Sequence, residues 1–282
     1  MKLTNTRELM SKAKFYEAYS RYDDTRQRYE QWPDSVSRVM AMHRKKYASV
    51  MTAELNDLME EVEAAYNQQL FLGAQRALQF GGDQLIKHNA RLYNCASTWC
   101  DRTNVFGGIM YLLLCGAGVG FSVQRQHIAK LPSIASRTSD PLTFVVPDTI
   151  EGWSMAIDVL MSSFFTSDAR YPEYSGHKVY FDLSEIRPKG SFISGGFKAP
   201  GGEPLRRALD LIEALIKCEL AAGRVYLRPI IAYDVIMYLA DAVIAGGVRR
   251  SATICMFSKD DEEMITAKTG DWFVTNPQRG RK

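Results

Sequence analysis

Beyond Leu92 the sequence alternates between two kinds of segment, and that alternation limits the folds open to it. Short β-type or buried apolar runs at 119–123, 144–146, 179–181 and 253–257 are separated by helical stretches at 104–115, 150–165, 204–221 and 229–245. A parallel strand pair needs a connection long enough to carry the chain back to the same end of the sheet, and a helix supplies it. The pattern predicts an α/β arrangement with crossover helices and at least partly parallel strands. Residues 1–90 differ, with helix formers, charged residues and aromatics at helical spacing, and predict a helical amino-terminal region. There Trp32-Pro33-Asp34-Ser35 marks a helix start, with Asp34 or Ser35 as the cap of a helix over 36–47. A second helix over 51–71 carries Leu55, Leu58, Met59, Val62 and Tyr66 at spacings of three and four, and Gly81-Gly82 closes another. The expected division is a helical region at 1–90 and an α/β region at 91–282.

Composition narrows the function classes. With 282 residues and 46% hydrophobic content the chain can bury a substantial core. A net charge of +3, spread evenly, lacks the concentrated basic face of a nucleic-acid reader, so nucleotides enter only as small ligands. The longest apolar run, 109–123, is broken by glycine and serine and is shorter than the roughly 20 residues of a membrane-spanning helix. Five scattered cysteines fit a reducing compartment better than a disulfide framework, and the amino terminus lacks a secretory pattern, so a cytoplasmic protein is expected.

Three segments carry chemistry. Cys95, in Tyr93-Asn94-Cys95, follows a polar residue at an expected strand start, where a thiol can face a cleft, whereas Cys115, Cys218 and Cys255 lie in apolar surroundings that suit packing. Cys100 is open to either role. The four histidines form no spaced set with the cysteines, so no metal site is expected. The run Gly116-Ala117-Gly118-Val119-Gly120-Phe121-Ser122 lacks the Lys-Ser/Thr of a P-loop; its glycines suit either close strand packing or close approach of a ligand. The third segment, Gly246-Gly247-Val248-Arg249-Arg250-Ser251-Ala252, sets two arginines after paired glycines, a pattern suited to phosphate or a nucleotide edge. The glycine-rich stretch between Ile186 and Pro204 reads as a long loop without regular structure.

In order, Asn94-Cys95, Gly116 to Val123, Asp148-Thr149-Ile150-Glu151-Gly152-Trp153, Tyr180-Phe181-Asp182-Leu183-Ser184-Glu185-Ile186-Arg187-Pro188-Lys189-Gly190 and Gly246 to Ala252 resemble the adenosylcobalamin-dependent class II ribonucleotide reductases, of the monomeric ribonucleoside-triphosphate reductase type. The early Phe15-Tyr16-Glu17-Ala18-Tyr19-Ser20-Arg21-Tyr22 also resembles that family's amino-terminal region. The resemblance implies the first part of a ten-stranded α/β barrel behind a helical region. It implies thiyl-radical reduction of a ribonucleotide, with Cys95 as one thiol of a redox pair that a thioredoxin-like partner re-reduces. It also implies substrate contacts at Asn94, Gly118, Gly120, Gly246, Gly247, Arg249 and Ser251, and a deoxynucleotide effector at Asp101, Arg187 and Lys189. The family's radical cysteine, its second redox cysteine and most cobalamin contacts would follow Lys282. The expected protein is thus the amino-terminal part of a reductase, inactive alone and completed by a carboxy-terminal half on a separate chain. Two alternatives stand beside it: a class I large-subunit fragment, and a non-catalytic nucleotide-binding regulator.

Overall fold

The computed structural model describes residues 3–193, 197–245 and 252–280, and the chain divides into two compact units, Met1–Tyr93 and Asn94–Lys282. The first unit runs α1 (Leu3–Ala18), a short antiparallel pair β1 (Tyr22–Asp23) and β2 (Arg28–Tyr29), then α2 (Trp32–Tyr47), α3 (Ala53–Asn67), α4 (Gln75–Phe80) and α5 (Asp83–Lys87). α2 starts earlier than the sequence suggests. Gln31 is its cap, and Asp34 reaches back to accept the Gln31 N–H at 2.8 Å, one arm of a capping box rather than the cap itself. Asp34 also binds Arg28 at 2.7 Å, and these bonds hold its carboxyl well below the usual carboxylate range. α3 is shorter than the expected 51–71: Thr52 Oγ1 caps it by accepting the Leu55 N–H, and the chain leaves the helix through Gln69 at φ 58°. Val36, Val39, Met40, Met59, Tyr66, Leu78 and Leu85 form this unit's core.

The second unit is α/β. β3 (Cys95–Trp99), α6 (Val105–Leu114) and β4 (Gly118–Ser122) form a parallel crossover; α7 (Arg125–Ile128) follows, then β5 (Ser139–Val145), α8 (Ile150–Phe164) and β6 (His177–Asp182), a second parallel crossover. β7 (Phe192–Ile193) and β8 (Phe197–Lys198) form an antiparallel pair inside the stretch expected to be irregular, where Gly195 and Gly196 lie outside the described residues. α9 (Glu203–Ala221) and α10 (Pro229–Ala245) lead to β9 (Thr253–Met256), which pairs in parallel with β4; α11 (Glu262–Ile265), α12 (Trp272–Thr275) and a 3-10 turn (Pro277–Gly280) end the described chain. The described strands form a three-stranded sheet, β3-β4-β9, and a separate parallel pair, β5-β6.

The helices cover one face of the larger sheet. Phe106, Ile109, Met110 and Leu113 of α6, Ile157, Leu160 and Phe164 of α8, and Val235, Ile236 and Leu239 of α10 join Val119 and Phe121 in one buried cluster. Each such side chain contributes about 1.5–3 kcal/mol on burial. α9 is amphipathic, burying Leu205, Leu209, Ile212, Ile216 and Glu219. Cys218 falls off that stripe and is exposed, so it is not the packing residue its apolar neighbours suggested. The turn from α6 into β4 passes through Gly116 at φ 80°, a left-handed conformation that favours glycine.

Candidate functional site

The site is built by strand register. β3 pairs with β4 as Cys95↔Gly118, Ser97↔Gly120 and Trp99↔Ser122, and β4 pairs with β9 as Gly120↔Ile254 and Ser122↔Met256. Side chains alternate across a sheet, so Thr98, Val119 and Phe121 turn into the core, while Cys95, Ser97, Trp99, Ile254 and Met256 share the other face. Among the described residues that face is open at Cys95, which is exposed, and at Ile254 and Trp99, 69% and 55% exposed, and is closed at Ser122, which is buried beside His127. The Gly118 N–H donates to the Asn94 carbonyl at 2.8 Å, which fixes the start of β3 against β4 and places the Cys95 position beside Gly118.

Among the described residues nothing packs against Gly118 or Gly120 closely enough to require glycine. A Cβ on Gly118 would meet Ala252 Cβ at 3.7 Å, and one on Gly120 would meet Ile254 Cγ2 at 3.4 Å, both ordinary contacts, and neither residue has a positive φ. Of the two readings left open by the sequence, close strand packing is the weaker one. Their missing side chains lower the floor of the open face next to the Cys95 thiol, room that an approaching ligand can use.

The other cysteines are unlike Cys95. Burial pushes the Cys100 thiol up to about 12 and the Cys255 thiol up to about 12, so both stay protonated at neutral pH. Cys115 is fully buried. Of the five, Cys95 alone combines exposure with a place on the open sheet face.

The residues expected to hold an effector are not joined to one another. Asp101, just after β3, pairs with Arg102 at 3.0 Å and Lys130 at 3.7 Å, and Arg102 in turn donates to Thr98 Oγ1 at 2.7 Å and the Trp99 carbonyl at 3.2 Å. Arg187 donates to Asp148 at 2.6 Å, at the amino end of α8. Lys189 is exposed, on the loop leading to β7, and has no carboxylate partner among the described residues. Gly246, Gly247, Arg249 and Ser251 lie outside the described residues; β9, which follows them, borders the open face at Ile254. Ser97, Trp99, Ile254 and Met256 were not singled out from sequence, although Ser97 and Trp99 share Cys95's parity along β3. Among the described residues no group of three His, Cys, Asp or Glu side chains is placed to hold a metal ion, and no helix is long and apolar enough to cross a membrane.

Residues 123–216 match the family described as the insertion domain of B12-dependent ribonucleotide reductases. An adenosylcobalamin-dependent ribonucleoside-triphosphate reductase of Lactobacillus delbrueckii subsp. bulgaricus is 32% identical over 55% of this chain and 24% of its own length. The reductase of the same description from Levilactobacillus brevis is 27% identical over 89% of this chain and 41% of its own length. A probable reductase of this kind from Dictyostelium discoideum is 28% identical over 89% of this chain and 35% of its own length. The crystal structure of a B12-dependent, class II ribonucleotide reductase superposes with a TM-score of 0.76 at 23% identity, covering 94% of this chain and 44% of the other, and shares its fold. The chain thus spans less than half the length of each of these relatives.

Proposed function

We propose that this chain, similar in sequence and in fold to the amino-terminal portion of the B12-dependent class II ribonucleotide reductases, is the part of such an enzyme that presents one substrate-reducing thiol and the regulatory nucleotide loops. The observation that carries this reading is the Cys95 position on an open sheet face, beside two glycines that packing does not require. A thiol there lies at a bare backbone floor, the arrangement a ribose needs to come close. The family match over 123–216 favours the B12-dependent class over a class I large subunit.

In this reading the substrate is a ribonucleoside triphosphate, and the reaction uses thiyl-radical chemistry started by a cysteine outside this chain. Two thiols, Cys95 and a second supplied by the remaining part, give two hydrogen equivalents. The ribose 2′ hydroxyl leaves as water, the carbon takes hydrogen, and the two sulfurs join as a disulfide, which a thioredoxin-like dithiol reopens by exchange. Asn94, Gly118 and Gly120, with Gly246, Gly247, Arg249 and Ser251, line the substrate, and Asp101, Arg187 and Lys189 contact a deoxynucleotide effector. Such a cycle suits the reducing cytoplasm.

The relatives are named for adenosylcobalamin, which supplies a carbon-centred radical when bound. The described residues do not by themselves fit that group. Cavities of about 340, 370 and 470 Å³ are small beside a corrinoid and are walled by charged side chains such as Lys178, Glu213 and Arg228, many already ion-paired. Most of its contacts would fall in the part of the relatives' length that this chain does not span. The test is to purify the chain with and without a carboxy-terminal reductase half and to assay deoxynucleotide formation with adenosylcobalamin and a dithiol. Turnover is expected only with both parts present, and turnover by this chain alone would overturn the proposed division.

A further inference from the structure

Among the described residues of the second unit, the least accessible charged group lies between α6 and α8, away from the open sheet face. Asp158 of α8 is 1% exposed, and its Oδ1 accepts the Gly107 N–H of α6 at 3.0 Å. Gly107 must be glycine for this approach, since a Cβ there would lie 2.3 Å from Asp158 Oδ1. Ser154, one turn earlier on α8, donates to the Gly107 carbonyl at 2.7 Å, so the two helices are bonded through both polar groups of one residue. The second carboxylate oxygen faces outward and takes Arg170 Nη1 at 3.2 Å.

Arg170 belongs to the segment 166–171 that follows α8, and that segment is tied down at further points. Thr103 Oγ1, on the turn between Asp101 and α6, donates to the Asp168 carbonyl at 2.6 Å. Asp168 holds φ 51°, a left-handed conformation unusual for a residue with a side chain. The Tyr171 N–H donates to Ser162 Oγ at 3.2 Å, and the Arg170 guanidinium lies 5.8 Å from the Tyr171 ring. Apolar packing between α6 and α8 would proceed as well with a neutral group at 158; a carboxylate there costs desolvation and gains a directed tether to Arg170.

We propose that Asp158 and Arg170 are positioning residues for the effector site: their ion pair, with the Thr103–Asp168 hydrogen bond, straps segment 166–171 onto the amino end of α6 beside Asp101. This rests on the reading of Asp101 as an effector contact. The strap fixes the turn Asp101-Arg102-Thr103 through Thr103, so a nucleotide meets Asp101 in one conformation rather than several, and part of the ordering cost of binding is removed beforehand.

The experiment uses the whole chain in two readouts at about pH 8, where the buried carboxyl is ionised. Hydrogen exchange without ligand compares wild type with Asp158→Asn, Arg170→Gln and Arg170→Lys; faster exchange at Tyr171 is expected in the first two and partial restoration in the third. Calorimetric titration with dATP, dGTP, dCTP and TTP then gives affinities, expected to fall roughly tenfold in Asp158→Asn and Arg170→Gln and to recover partly in Arg170→Lys. Unchanged exchange in every variant overturns the strap. Faster exchange with unchanged affinity overturns its role in positioning. A wild-type chain that binds none of the four overturns the effector reading itself, and the ligand-free exchange separates that failure from failure of the strap.

Discussion

Burial pushes the Asp158 carboxyl up to about 7, against the opposing pull of Arg170 and the Gly107 N–H. The unfolded carboxyl titrates near 4, so the folded chain holds this proton more tightly than the unfolded one. The stabilisation from that proton is fully present below about pH 4 and is lost as pH rises through about 7, a change on the order of 4 kcal/mol. Asp158→Asn keeps a neutral acceptor for Gly107 and has no such titration. Its stability relative to wild type, measured by denaturant unfolding, is expected to rise between pH 4 and pH 8 by up to that amount; a pH-independent difference would show that Arg170 fully offsets the burial. Nothing in the local sequence around Asp158 signals this, because a lone aspartate in an apolar helix gains its meaning from Gly107, which lies on another helix. The exposed place of Cys95 at a strand start was legible at the residue scale through its polar neighbour. The exposure of Cys218 was not, because it depends on which stripe of α9 faces the core.

At the scale of elements, the four long helices of the second unit follow the sequence closely, for local reasons, whereas the four-residue helices α7, α11 and α12 were not expected. Thr149 caps α8 by accepting the Gly152 N–H at 2.9 Å, and Pro204 and Pro229 sit at the starts of α9 and α10, where a missing N–H costs nothing. β4, β6 and β9 were legible as apolar runs, whereas β3, which contains Ser97 and Thr98, is no apolar run and β5 begins at Ser139, five residues before the run expected at 144–146. Which strands pair, and therefore which side chains share a face with Cys95, depends on register, and Ser97, Trp99, Ile254 and Met256 emerged only from the folded sheet. The two-residue strands β1, β2, β7 and β8 are too short to leave a periodic pattern. The open face makes a sharp prediction. Gly118→Ala and Gly120→Ala are expected to fold with equal or slightly greater stability, by up to about 1 kcal/mol, since the added methyl meets only ordinary contacts and restricts the unfolded chain. In the reconstituted enzyme the same methyl groups are expected to weaken substrate binding roughly tenfold, the order of effect of a group intruding on a bound ligand. Unaltered KM and kcat in both variants would return these glycines to ordinary sheet packing.

The whole molecule presents a helical unit and an α/β unit that carries a sheet open on one face. Five separated motifs in one order pointed to the family from sequence; the insertion-domain match over 123–216 agrees with them, and the superposition with a class II reductase agrees in fold. The α/β layout was legible because crossover helices and apolar strands leave long-range patterns. The separation of Asp101 from Arg187 into different ion-pair networks was not, because long side chains choose partners by position in space. Among the described residues the sheet face that bears the thiol leaves Ile254 and Met256 exposed beside it, and the proposed carboxy-terminal part would cover that face. The most direct test of that account replaces Cys95 by serine in the chain combined with a carboxy-terminal half, adenosylcobalamin and a dithiol, and follows deoxynucleotide formed over many turnovers. The account predicts loss of sustained turnover with the assembly still formed; deoxynucleotide production at the wild-type rate would contradict it.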